Sequence, residues 1–258
     1  MIGKNFVKLI TIVLIIHWGC SNKVSSEKFD SDSELEDVDF DSREENQPLA
    51  EVEEIGDLEQ SLIEAGLVDV AKVIEGVFVD LKYSTTDNFF GIDVYGDLER
   101  CYLQPVVAEM LHKAHAHLQS KYSELTFLIY DGVRPLSVQQ ILWDNLQKPD
   151  SIKPLYVADP KIGGLHNYAV AVDLTLADKN TGLPLDLGTE YDYFGYPAYP
   201  DREDQMLREG KITKDHIANR KILREAMAAG GFTGIGSEWW HFNAFSRKAA
   251  AEKFDLIK

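Results

Sequence analysis

The sequence predicts an α+β fold, a small mixed or antiparallel sheet flanked by helices in a single domain. Three observations predict it. Hydrophobic residues make up 45% of the 258, which is enough to bury one sizeable core. Beyond residue 57, helically spaced and alternating segments follow one another without the even strand–helix repeat of a doubly wound sheet. Charge is also unevenly spread: residues 1–20 carry +2, residues 21–60 carry −12 and residues 61–258 only −7 of the formal −17. Most of the acidity therefore belongs to a tether, and the body is an ordinary, mildly acidic globular domain.

Along the chain, residues 1–20 have two lysines (Lys4, Lys8), an apolar run from Phe6 to Ile16, and Gly19 before Cys20. Eleven apolar-rich positions are too few to cross a bilayer, and the layout is that of a secretory signal peptide. It resembles a bacterial lipoprotein signal, which implies that Cys20 is lipidated and anchors the protein to a membrane in the cell envelope. His17 and Trp18 depart from the usual small or aliphatic residues there, so a plain signal peptide or an uncleaved anchor is the alternative. Residues 21–60 read as an acidic linker, too charged and too poor in aromatics to fold alone.

The domain proper is set at 61–258. Leu58–Val70 has helical spacing, and Val77–Tyr83 alternates as a strand does. Leu103–Leu118 places Val107, Met110, Leu111, Ala114 and Leu118 on one helical face, with Pro105 tolerable in the first turn. A strand over Leu125–Tyr130, a helix over Ser137–Leu146 and a strand over Ala171–Leu176 follow. Lys214–Ala229 reads as a helix ended by Gly230 and Gly231, and Trp239–Asn243 as a short strand.

Composition excludes several classes of function. An acidic chain of pI near 4.8 lacks the clustered Lys and Arg that nucleic-acid binding needs. Two cysteines, Cys20 and Cys101, can build neither a multi-disulfide scaffold nor a four-thiolate zinc site. Any metal must be held by His and carboxylate.

Two segments carry chemistry. In GGLHNYAVAVDLTL, His166 precedes Asp173, and a carboxylate among Val172, Leu174 and Leu176 requires a metal or a cation as partner. In GSEWWHFN, Glu238 and His241 flank two tryptophans that would make a dry wall and perturb nearby proton affinities. His166, Asp173 and His241 could bind zinc and leave its fourth position to water. On spacing alone each also has a structural reading: a satisfied histidine, an ion-paired aspartate, a chance Glu–His pair. His112, His115 and His117, on one predicted helix without a carboxylate ligand, are read as solvated or structural, as is His216.

These residues lie in an ordered series of motifs that resembles the zinc-dependent D-alanyl-D-alanine dipeptidases. The motifs are DLKYSTTDNFFG (80–91), YDGVRPLSVQQ (130–140), HNYAVAVDLTL (166–176), TGLPLDLGTEYDYF (181–194), NRKILREAM (219–227) and SEWWHF (237–242). The resemblance implies a single catalytic domain in which His166, Asp173 and His241 bind one zinc ion per chain. It further implies that Glu238 is the general base, that Arg134 stabilises the transition state and that Asp192 binds the substrate amino terminus. Arg134 could otherwise serve only as an ion-pair partner of Asp131. Aromatics Tyr191, Tyr193 and Phe194 are read as core. Gly164 and Ala169 stand where the family motif has serine and glycine, which bears on the shape of the pocket. The implied substrate is D-Ala-D-Ala or a related small peptide of the envelope. Alternatives are a carboxypeptidase or endopeptidase trimming peptidoglycan stem peptides, and a non-catalytic envelope binding protein.

Overall fold

A computed structural model describes residues 55–258; the expected signal, Cys20 and nearly all of the acidic linker lie outside the described residues. In chain order the elements are α1 (Asp57–Glu64), β1 (Val68–Asp69), α2 (Val70–Val73), β2 (Phe78–Val79), β3 (Tyr102–Leu103), α3 (Pro105–Lys121) and β4 (Leu125–Asp131). Then come α4 (Leu136–Asn145), β5 (Ala171–Asp178), α5 (Glu203–Arg208), α6 (Lys214–Ala229), β6 (Thr233–Gly234), β7 (His241–Asn243) and α7 (Arg247–Lys253). The fold is the expected α+β type.

Helix α1 straddles the boundary that the charge runs set at residue 60, and it is anchored: Leu62 and Glu59 are buried. Glu59 accepts from Arg100 and, at 2.6 Å, from the Tyr102 hydroxyl. The helical pattern read through to Val70 stops at Gly66, whose φ of +78° supplies the left-handed turn that ends a helix. Beyond it β1 pairs antiparallel with β3. The strand expected over Val77–Tyr83 is shorter, because after β2 the chain tightens into a 3₁₀ turn at Lys82–Ser84. That turn buries Tyr83.

The main sheet has the order β2-β4-β5-β7-β6. Only β2 and β4 are parallel; the other neighbours are antiparallel. Helix α3 starts at Pro105, where a missing N–H costs nothing, and buries Val107, Leu111, Ala114 and Leu118. Helix α6 is opened by a Thr213–His216 capping box and closes at Gly230. Along β5, Val172, Leu174 and Leu176 turn to one face and Asp173 and Thr175 to the other. Phe127, opposite Leu176 in the ladder, touches His115 of α3, so the apolar face is the helix-covered one. Asp173 is left on the opposite face. The register of β4 against β5 shifts between Ile129 and Asp131, which sets Asp131 opposite Asp173, the kind of irregularity that re-aims a strand end.

Candidate metal centre and active site

His166 comes from a 3₁₀ turn (His166–Tyr168) just before β5, Asp173 from β5 and His241 from β7. Asp173 and His241 are direct cross-strand partners, so the ladder itself puts them side by side. The turn is fixed to the end of β4. Arg134 N donates to His166 O at 3.1 Å, and Asn167 donates from Nδ2 to Arg134 O while its Oδ1 accepts from Gly164 N.

Three atoms converge: His241 Nδ1 lies 2.9 Å and His166 Nε2 3.4 Å from Asp173 Oδ1, and the two nitrogens are 3.2 Å apart. A tetrahedral zinc site with bonds of about 2.0–2.1 Å has ligand–ligand edges of about 3.3–3.4 Å. Each ligand is oriented by a second bond. His166 Nδ1 meets Gly132 O at 2.7 Å, His241 Nε2 meets Asn243 Oδ1 at 2.8 Å, and Asp173 Oδ2 accepts from Tyr191 at 2.9 Å. The outer nitrogens face acceptors and so carry the hydrogens, which turns the two inner lone pairs and the carboxylate oxygen on one another. Such a cluster calls for a cation. Without a metal that cation is a proton. Burial lowers the His241 pKa, but the hydrogen bond and charge of Asp173 outweigh it and push the ring up to about 9. Burial likewise raises Asp173, and His166 and His241 outweigh it and hold the carboxyl well below the usual range.

Among the described residues this is the one group of three or more His, Cys, Asp or Glu placed to hold a metal. The three residues line a cavity of about 260 Å³ together with Glu238, Asp192 and Arg134. Glu238 Oε2 stands 4.0 Å from His241 Nδ1, and burial raises its pKa above the ordinary 4.5. Asp192 sits at a left-handed φ of +57°, a backbone strain typical of functional positions, and accepts from the Tyr83 hydroxyl at 2.8 Å. Burial, then the charge of Asp173, push its carboxyl well above the usual range. Arg134 donates from Nη2 and Nε to Asp131 Oδ2 and stacks over the Tyr83 ring. The ion pair with Asp131 and a place on the cavity wall thus coexist.

All six predicted site residues within the described chain meet in this cavity. Two readings need correction. Only Trp240 borders the cavity; Trp239 faces a separate cleft of about 380 Å³ and donates to Thr189 Oγ1, the two tryptophans lying in a bend ahead of β7 rather than within the strand expected over Trp239–Asn243. Tyr191 packs against Trp240, but its hydroxyl also orients Asp173. Phe194 lines the cavity, and Tyr193 is largely exposed. Asn243 was readable in principle, two residues past His241 and therefore on the same strand face. His115 is buried against Thr126 Oγ1, and His216 caps α6 and meets Asp186.

The peptidase M15 family, described as D-Ala-D-Ala dipeptidase, matches residues 63–258. The chain belongs to this family. It is 34% identical over 194 residues to a D-alanyl-D-alanine dipeptidase of Escherichia coli, covering 74% of this chain and 92% of that one. A D-alanyl-D-alanine dipeptidase of Enterococcus faecalis is 28% identical over 197 residues, covering 70% and 92%. An LD-carboxypeptidase, LdcB, is similar at 18% identity over 58% of this chain and 63% of that one, with a TM-score of 0.36, too slight a likeness to build on. In this M15 peptidase the two departures from the family motif have local consequences. At Gly164 a Cβ would come within 3.2 Å of Ala158 Cβ, so a serine there requires a small shift. Ala169 occupies φ +57°, where glycine is free of the roughly 1–2 kcal/mol that a side chain costs.

Proposed function

We propose that this M15 peptidase is a zinc-dependent dipeptidase that hydrolyses D-Ala-D-Ala or a closely related small dipeptide in the bacterial cell envelope. The observation that carries the reading is the convergence of His166 Nε2, Asp173 Oδ1 and His241 Nδ1 in one small cavity with Glu238 and Asp192. When bound there, zinc would supply a Lewis acid and lower the pKa of water towards about 7. Glu238, raised by burial, takes the proton from the attacking water and hands it to the departing amine. Arg134, held by Asp131, keeps a fixed positive charge on the cavity wall, where negative charge develops on the carbonyl oxygen. Asp192 meets the substrate ammonium, whose positive charge opposes the effect of burial and favours the ionised carboxylate. A cavity of about 260 Å³, below the ~300–1,000 Å³ of most ligand clefts, suits a small peptide.

Placement in the envelope and anchoring through Cys20 rest on the sequence layout. Turnover of free D-Ala-D-Ala, N-acetyl-D-Ala-D-Ala and an intact muropeptide, followed by mass spectrometry, tests the reading. The free dipeptide should be cleaved at least tenfold better than the blocked one, as loss of one charge-assisted bond implies. Equal or faster cleavage of the acetylated peptide would overturn it in favour of a stem-peptide carboxypeptidase.

A further inference from the structure

We propose that Arg247 is a specificity-determining residue whose guanidinium pairs with the free C-terminal carboxylate of the peptide substrate. The proposal rests on the small-peptide reading above and adds the group that recognises the substrate's other end.

Three acids, Asp173, Asp192 and Glu238, border the cavity, against two arginines, Arg134 and Arg247. Arg134 is committed, since Nη2 and Nε both bond Asp131. Arg247, the first residue of α7, has no carboxylate partner among the described residues. Its guanidinium reaches Ile162 O from Nη1 at 3.5 Å, at the weak limit of a hydrogen bond. A peptide with a free C-terminus brings a fourth carboxylate into this acidic cavity, where it needs a cationic partner to be desolvated. A guanidinium fork is the side chain best shaped to supply one, because it can bond both oxygens at once.

Position fits charge. Asp192 is secured by Tyr83, whereas Arg247 reaches toward Ile162, on the segment that leads through Gly164 to His166. A zwitterionic dipeptide could then be held at both ends by different elements, with its peptide bond between them. Gly164, on that same segment, also borders the cavity. Dipeptides and carboxypeptidase substrates both have this carboxylate, and a mid-chain endopeptidase substrate does not. Arg247 therefore points to cleavage at a free C-terminal residue.

The test compares kcat/KM of the full-length protein, Arg247→Met and Arg247→Lys on D-Ala-D-Ala and on its C-terminal carboxamide. Arg247→Met should lose about tenfold or more on the free acid, mainly in KM, and stay within about twofold of wild type on the amide. Arg247→Lys should fall between, since it keeps the charge but not the fork. Zinc content and Tm should match wild type in both variants, because the side chain is exposed. Equal losses on acid and amide, or no loss on the acid, would overturn the assignment to Arg247 while leaving the dipeptidase reading intact. A wild-type protein that cleaves neither peptide would overturn both.

Discussion

The Tyr191 hydroxyl donates to Asp173 Oδ2 at 2.9 Å, which leaves Oδ1 as the oxygen facing His166 and His241. Burial holds the phenol pKa well above its usual value, so the group remains a donor at any working pH. Tyr191→Phe keeps the ring against Tyr130 and Trp240 and removes only this bond. Zinc affinity, measured by chelator competition, should fall about 10–100-fold, the range for loss of an outer-sphere partner, with little change in Tm. Unchanged affinity would show that Asp173 needs no such support.

Metal binding should depend on pH through His241. Its metal-free pKa is raised to about 9, and a ligand nitrogen must lose its proton before it can coordinate. Below about pH 9, therefore, apparent zinc affinity should fall as pH falls, by up to about tenfold per unit from this group alone. Isothermal titration at several pH values should also register proton release on binding. A flat affinity between pH 6 and 8 on the order of one value would contradict the protonated metal-free ring.

Glu238 should separate catalysis from metal holding. Its Oε2 stands 4.0 Å from the nearest ligand nitrogen, so Glu238→Gln should keep near-normal zinc and lose about two or more orders of magnitude in kcat, as expected for a general base. A kcat within a few-fold of wild type would remove Glu238 from that role.

Glu59 offers a stability test at the edge of the domain. Its carboxyl is held below the usual range by hydrogen bonding to Arg100, against the opposing effect of burial. A depressed carboxylate stabilises the fold above its unfolded pKa, and that contribution is lost as pH falls through the folded value. Glu59→Gln should therefore lower Tm at pH 7 by a few degrees, for a loss of about 1–2 kcal/mol. The gap should close only in acid, as pH falls through the depressed folded pKa of Glu59 and the wild-type carboxyl itself becomes neutral. A gap that persists at low pH would mean that Glu59 acts through packing.

What was legible in the sequence follows from the range of the interactions involved. Helix α6 matches its predicted bounds because every signal is local: Thr213 before it, Gly230 and Gly231 after it. The strand expected through Tyr83 fails because the chain leaves the sheet after Val79, where Tyr83 turns inward to reach Asp192, 109 residues away. The site residues were readable as motifs, and the β5–β7 register explains why Asp173 and His241 meet. Gly132 was not assigned and Tyr191 was read only as core, because their bonds to His166 and Asp173 form between segments far apart in sequence; Asn243, two residues past His241, had a spacing that could have shown it.

The central claim, a zinc centre built by His166, Asp173 and His241, is tested most directly by metal analysis of the purified residues 55–258 and full-length protein beside His166→Ala and His241→Ala. About one zinc per chain is expected in wild type, from three protein ligands and an open fourth position, and both variants should lose it. Stoichiometric zinc retained in both variants would contradict the account.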